Sequence, residues 1–126
     1  MAGDQILVVE DNEKNMKLFR DVLEATGYRL LEATTGEQAV ELAATHSPNL
    51  VLMDIQLPDI DGVEALGRLR GNERTASIPV VALTAQAMQD DRKRFLDAGF
   101  DGYISKPVDV VEFVRTVKEY LRKEPS

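Results

Sequence analysis

Short aliphatic runs alternate along the chain with longer stretches in which apolar residues return every three or four positions. The runs read as β-strands and the longer stretches as amphipathic helices. Strands are expected at 6–9, 29–33, 50–53, 79–83 and 103–105. Four of these are apolar enough for burial on both faces. The second, Arg29-Leu30-Leu31-Glu32-Ala33, carries charge at two positions and has the character of an edge strand. Between the strands, Met16, Phe19, Val22 and Leu23 share one helix face that Gly27 should terminate. Thr35 with Gln38, Asp61 with Glu64, and Asp109 with Glu112 have the spacing of N-terminal capping pairs. The helices they open should turn inward Val40 with Ala43 or Ala44, then Val63, Leu66 and Leu69, then Val110, Phe113, Val114, Val117 and Leu121. Gly71 should end the third helix. A fourth, over 88–98, should bury Met88, Phe95 and Leu96 before Gly99.

Five strands joined by helical crossovers bury both faces of a sheet only when the strands are parallel and helices cover each side. The expected fold is therefore α/β, a doubly wound (βα)5 five-stranded parallel sheet. Right-handed crossovers place every strand C-terminus on one edge, where such sheets hold their sites. No repeat, low-complexity run or linker interrupts 1–126, so a single domain is expected, with an ordered core over roughly 5–122.

Composition narrows the function. There are 22 acidic against 15 basic residues, a net charge of −7, with no cationic cluster to set against it, so neither nucleic acid nor an anionic membrane is an expected partner. The absence of cysteine excludes disulfides, thiolate metal sites and thiol catalysis. Apolar runs stop far short of the about 20 residues of a membrane span, and no secretory signal is visible, which points to a cytoplasmic protein.

The polar residues at the expected strand ends form a coherent set. Strand one runs into Glu10-Asp11-Asn12, strand three into Asp54, strand four into Thr84-Ala85 and strand five into Ser105-Lys106-Pro107. Three carboxylates and one ammonium sum to about −2, and crowding them calls for protons or a cation. Oxygen donors without His or Cys favour magnesium, with manganese as its substitute, and leave coordination positions for a phosphate oxygen.

This pattern resembles the receiver domain of two-component response regulators, the CheY-like family, over essentially the whole chain. The residues that carry the resemblance are Val8-Val9-Glu10-Asp11-Asn12, Leu52-Met53-Asp54-Ile55-Gln56-Leu57-Pro58, Thr84-Ala85 and Lys106-Pro107. It implies the flavodoxin-like strand order 2-1-3-4-5 and a phosphorylation-dependent switch, not a turnover enzyme. By this resemblance Asp54 is the phosphoacceptor, assisted by Lys106 and Thr84. Magnesium is held by Asp11, Asp54 and the main-chain carbonyl of Gln56, with Glu10 acting through water. Tyr103 joins Thr84 as a switch residue, the peptide before Pro107 is a cis candidate, and Gln56 and Gln86 flank the path of the hydrolytic water. The implied partners are a histidine kinase or histidine phosphotransfer protein, and a downstream protein on the face of the fourth helix, fifth strand and fifth helix. Val108 and Val111 are candidate contacts on that face, and the expected state is a monomer or a weak phosphorylation-dependent dimer. Phrases such as Asn15-Met16-Lys17-Leu18-Phe19 and Gly102-Tyr103-Ile104-Ser105-Lys106-Pro107 are similar to stand-alone receivers of the DivK kind.

Two other classes fit less well. A phosphohydrolase of the haloacid dehalogenase type needs a second Asp two positions after the nucleophile, where Gln56 stands. A flavodoxin-like cofactor domain needs a phosphate loop after strand one, where Glu10 and Asp11 would repel the phosphate. His46, Lys14 and the Arg92-Lys93-Arg94 run read as exposed surface rather than as site residues.

Overall fold

Strand and helix alternate strictly in the computed structural model, which describes residues 3–85, 89–106 and 108–122. The elements are β1 (Gln5–Val9), α1 (Glu13–Ala25), β2 (Arg29–Ala33), α2 (Gly36–His46), β3 (Leu50–Asp54), α3 (Gly62–Arg70), β4 (Val80–Thr84), α4 (Gln89–Ala98), β5 (Gly102–Ser105) and α5 (Val110–Arg122). All neighbouring strands pair in parallel in the order β2-β1-β3-β4-β5. This is the expected α/β doubly wound sheet, with β2 at one edge as its charged pattern required. No helix among the described residues is long and apolar enough to cross a membrane.

Period-two alternation divides the strand side chains between two cores. Leu7, Val9, Val51, Met53, Val80 and Ala82 face α2, α3 and α4, where they meet Ala39, Ala43, Leu66, Leu69 and Phe95. Ile6, Val8, Leu50, Leu52, Val81 and Leu83 face α1 and α5 and meet Met16, Phe19, Leu23, Phe113 and Val117. Phe19 and Phe113 stack at 5.2 Å between ring centroids, which joins the two helices on that side. Burying each such side chain stabilises by roughly 1.5–3 kcal/mol, so packing on the sheet, more than helix propensity, holds these short helices.

The helix starts are fixed by side-chain caps. Thr35, Asp61 and Asp109 accept from the backbone N–H groups of Gln38, Glu64 and Glu112 at 3.1, 2.8 and 3.1 Å. Asn12 caps α1 in the same way, accepting from Asn15 N at 3.1 Å. At the other end of α1, Gly27 has φ +98°, the left-handed conformation in which glycine stops a helix without strain.

Three residues expected inside lie outside. Val63 and Leu96 are 40% exposed and Val110 is 45% exposed. The inward stripe of α3 begins at Gly62 and continues through Ala65, Leu66 and Leu69, because α3 is pressed against the end of β3, and this rotation carries Val63 outward. In α4 the stripe passes through Phe95, whose ring meets Phe100 edge-on at 6.1 Å, and Leu96 falls beside it. In α5 the Phe113 stack on α1 sets the rotation and leaves Val110 on the flank. The expectation for Met88 lies outside the described residues.

Candidate functional site

Parallel pairing aligns the strand ends, with Asp54 opposite Leu83 and Thr84 opposite Ser105, so the residues that follow share one edge. Glu10 directly follows β1, held by a bond from its N–H to Ala33 O at 2.9 Å. The Asn12 cap then turns the chain into α1 and leaves Asp11 exposed at the rim. Asp54 is the last residue of β3, and α3 starts so close to it that a Cβ on Gly62 would stand 2.7 Å from Asp54 O. Lys106 is anchored by its own N–H to Thr84 O at 2.8 Å, which sends its side chain back over the sheet edge.

The side chains converge as the sequence pattern anticipated. Asp54 is 5% exposed and Glu10 1%, so their carboxyl groups lie at the floor of an open cavity of about 370 Å³ that Lys106 also lines, and Thr84, 4% exposed, is buried at the end of β4. Lys106 Nζ donates to Asp54 Oδ2 at 2.8 Å, and Gln56 N–H donates to Asp54 Oδ1 at 2.9 Å. Nζ also lies 2.7 Å from Glu10 Oε1, an ion pair that sets a charge beside this buried oxygen, which has no hydrogen-bond partner among the described residues. One oxygen each of Glu10, Asp11 and Asp54 lie within 4.8 Å of one another.

The electrostatics follow from this crowding. Burial, reinforced by Asp54, pushes the Glu10 carboxyl up to about 7, against the pull of Lys106. Burial works to lower the Lys106 ammonium, but its bond to Asp54 and its ion pair with Glu10 outweigh that and hold it above its ordinary value. Three carboxylates therefore face one cation, and one buried Glu10 oxygen is met by the Lys106 charge without a hydrogen bond among the described residues. A hard divalent cation bound by oxygen ligands fits this donor set.

Tyr103 is half-buried on β5 and packs against the core on the α4 side. A larger groove, about 590 Å³, runs past it along β5 between Leu96, Phe113 and Tyr120, but no set of metal-ligating side chains among the described residues converges there. Val111 is 66% exposed, Val108 half-buried, and Lys14 and His46 exposed. Gln86 and Pro107 lie outside the described residues. Asn12 and Asn15 also line the cavity, which agrees with the expectation that Asn15, just past the acidic pair, bears on access to the site, and Asn12 serves in addition as the α1 cap.

The comparisons agree with this geometry. The family model of the response regulator receiver domain matches residues 6–118. The polar-differentiation response regulator DivK of Brucella ovis is 48% identical over 116 residues, covering 92% of this chain and 94% of that protein. The receiver domain of the sensor histidine kinase PA1611 from Pseudomonas aeruginosa PAO1 was solved with a magnesium ion coordinated in its active-site cleft. It matches with a TM-score of 0.88 and 38% identity over 95% of this chain and 98% of that one. The non-phosphorylated HemR receiver domain of Leptospira biflexa matches with a TM-score of 0.87 and 29% identity over 98% of each. Sequence, topology and the acidic pocket converge on one assignment: the chain belongs to the response regulator receiver family, whose members are phosphoacceptor signalling domains served by histidine kinases and not turnover enzymes.

Proposed function

We propose that the chain is a single receiver domain that takes a phosphoryl group on Asp54 and passes the signal on through a protein contact. The observation that carries this reading is the Asp54 carboxylate at the floor of an over-charged pocket, with Lys106 Nζ 2.8 Å from one oxygen and the Gln56 N–H on the other. Phosphoryl transfer needs an in-line nucleophile and neutralisation of the transferred oxygens. The Asp54 oxygen forms the new O–P bond as the bond from phosphorus to the donor's imidazole nitrogen breaks, and the electron pair leaves with that nitrogen.

Asp11, Asp54 and the main-chain carbonyl of Gln56 would hold magnesium, or manganese in its place, with Glu10 acting through water. Bound there, the cation supplies positive charge against the phosphoryl oxygens. Lys106 exchanges its bond to the Asp54 carboxylate for one to a phosphoryl oxygen, and the Thr84 hydroxyl donates to another. The modification adds about one further negative charge and three strong acceptors, which favours the arrangement with Thr84 drawn toward the group. Tyr103 would follow Thr84 inward, and the α4–β5–α5 face, with Val111 exposed beside it, would change its contacts. The donor is a histidine kinase or a histidine phosphotransfer protein, the setting is the cytoplasm, and the active form is a monomer or a weak dimer. The similarity to DivK supports a role in a kinase or phosphorelay circuit.

The test is the intact mass after incubation with magnesium and acetyl phosphate, beside Asp54→Asn and a chelated sample. A single phosphoryl addition lost in both controls is the expected result. An addition that persists in Asp54→Asn places the acceptor elsewhere and contradicts the proposal.

A further inference from the structure

The loop 55–61, which leads from Asp54 to α3, is fastened at its ends by its own neighbours. Gln56 N–H bonds to Asp54 Oδ1, Gly62 N–H donates to Ile55 O at 2.9 Å, and Asp61 caps α3. Its middle is fastened to a different element. Asp59 Oδ1 accepts from Gly36 N–H at 2.8 Å and Oδ2 from Glu37 N–H at 2.9 Å, both in the first turn of α2. Ile60 lies over Gly36 so closely that a Cβ on that glycine would collide with it. Thr35 already caps α2 through Gln38 N–H, so the helix start has two separate sets of acceptors. The two Asp59 bonds are charge-assisted and meet the positive end of the helix.

We propose that Asp59 is a positioning residue for the metal site: by clamping the loop to the first turn of α2, it fixes the main-chain carbonyl of Gln56 as a ligand. The inference rests on the reading above that this carbonyl binds the cation. Asp59 touches neither the cation nor the phosphoryl group, and it acts only through the backbone between residues 56 and 59. Its carboxyl is held down to about 2 by the bonds from Glu37 and Gly36, so the clamp is charged throughout the neutral range. Partners that orient metal ligands typically cost about 10–100-fold in metal affinity when removed, and a clamp acting through three residues of backbone belongs near the lower end.

Magnesium titrations of the full chain, followed by the amide resonance of Gln56, test this with Asp59→Ala, Asp59→Asn and Thr35→Ala in parallel, and urea unfolding of each variant measures its stability. Thr35→Ala removes a cap from the same helix without releasing the loop. The expected result is affinity about tenfold weaker in Asp59→Ala, an intermediate loss in Asp59→Asn, which keeps one acceptor oxygen, and Thr35→Ala within about twofold of the parent. The inference is overturned if Asp59→Ala binds magnesium like the parent. It is equally overturned if Asp59→Ala and Thr35→Ala lose affinity together, since helix stability then explains both. If the parent chain shows no magnesium-dependent shift, the metal reading fails, and this inference with it.

Discussion

Arg70 and Lys106 each gather several chain segments at an edge of the same sheet, and they end in opposite electrostatic states. At the N-terminal edge, the Arg70 guanidinium donates to Ala76 O, Ile78 O and Gly99 O and to Asp101 Oδ2 at 2.9 Å. The same Asp101 oxygen accepts from Val80 N–H at 2.8 Å, so one cation and one carboxylate fasten α3, β4 and the start of β5 with their charges balanced. At the C-terminal edge, Lys106 faces Asp54 and Glu10 together, with Asp11 nearby, and a buried Glu10 oxygen has an ion pair but no hydrogen bond among the described residues. A cluster that serves the fold is saturated and neutral. One that must receive a cation and a phosphoryl group keeps surplus charge and unfilled lone pairs, at a cost in stability.

Substitutions at the two clusters should therefore move stability in opposite directions. The largest effect is expected from Arg70→Ala, which should destabilise by about 2–3 kcal/mol in urea unfolding, a figure that discounts its charge-assisted bonds for partial exposure. Phosphorylation of the folded fraction should not change. Asp54→Asn should raise stability by about 1–2 kcal/mol at pH 8 without metal, because it removes one of the crowded charges. A loss of stability in Asp54→Asn would place the two clusters in the same class.

A smaller effect is a pH dependence with two limbs. Glu10 has its folded-state value raised to about 7, so the folded chain retains a proton that the unfolded chain releases above its ordinary value of 4.5. Metal-free stability should accordingly fall as pH rises from about 4.5 to 7, and Glu10→Gln should flatten that slope. Asp59 works the other way. Its folded-state value is depressed to about 2 from 3.8, so its contribution is present above about 4 and is lost as pH falls through 2. Asp59→Asn should remove part of the acid limb and leave the neutral one. Denaturant midpoints across pH for the three chains check both limbs.

Much of this was legible in the sequence because it depends on local pattern. The short apolar runs, the charged edge strand at Arg29–Ala33 and three capping pairs reappear as read. The acidic residues could be gathered before any coordinates, because a parallel sheet sends all strand C-termini to one edge. What escaped depends on contacts between segments far apart in the chain. Asp59 looks like an ordinary turn residue until its bonds to Gly36 and Glu37 are seen, and Arg70 looks like a helix-end cation until Asp101 is found beside it. Val63 illustrates the same limit. Its apolar side chain suited the stripe, but the approach of Gly62 to Asp54 set the rotation of α3.

The most direct test of the charge imbalance is the titration of the Glu10 side-chain carboxyl carbon by NMR, with and without saturating magnesium. Without metal it should titrate near 7, and magnesium should shift it downward by supplying the missing positive charge. A Glu10 that titrates at its ordinary 4.5 in both conditions would show that neither burial nor the neighbouring Asp54 disfavours its charge and that magnesium does not relieve it, and would contradict the account.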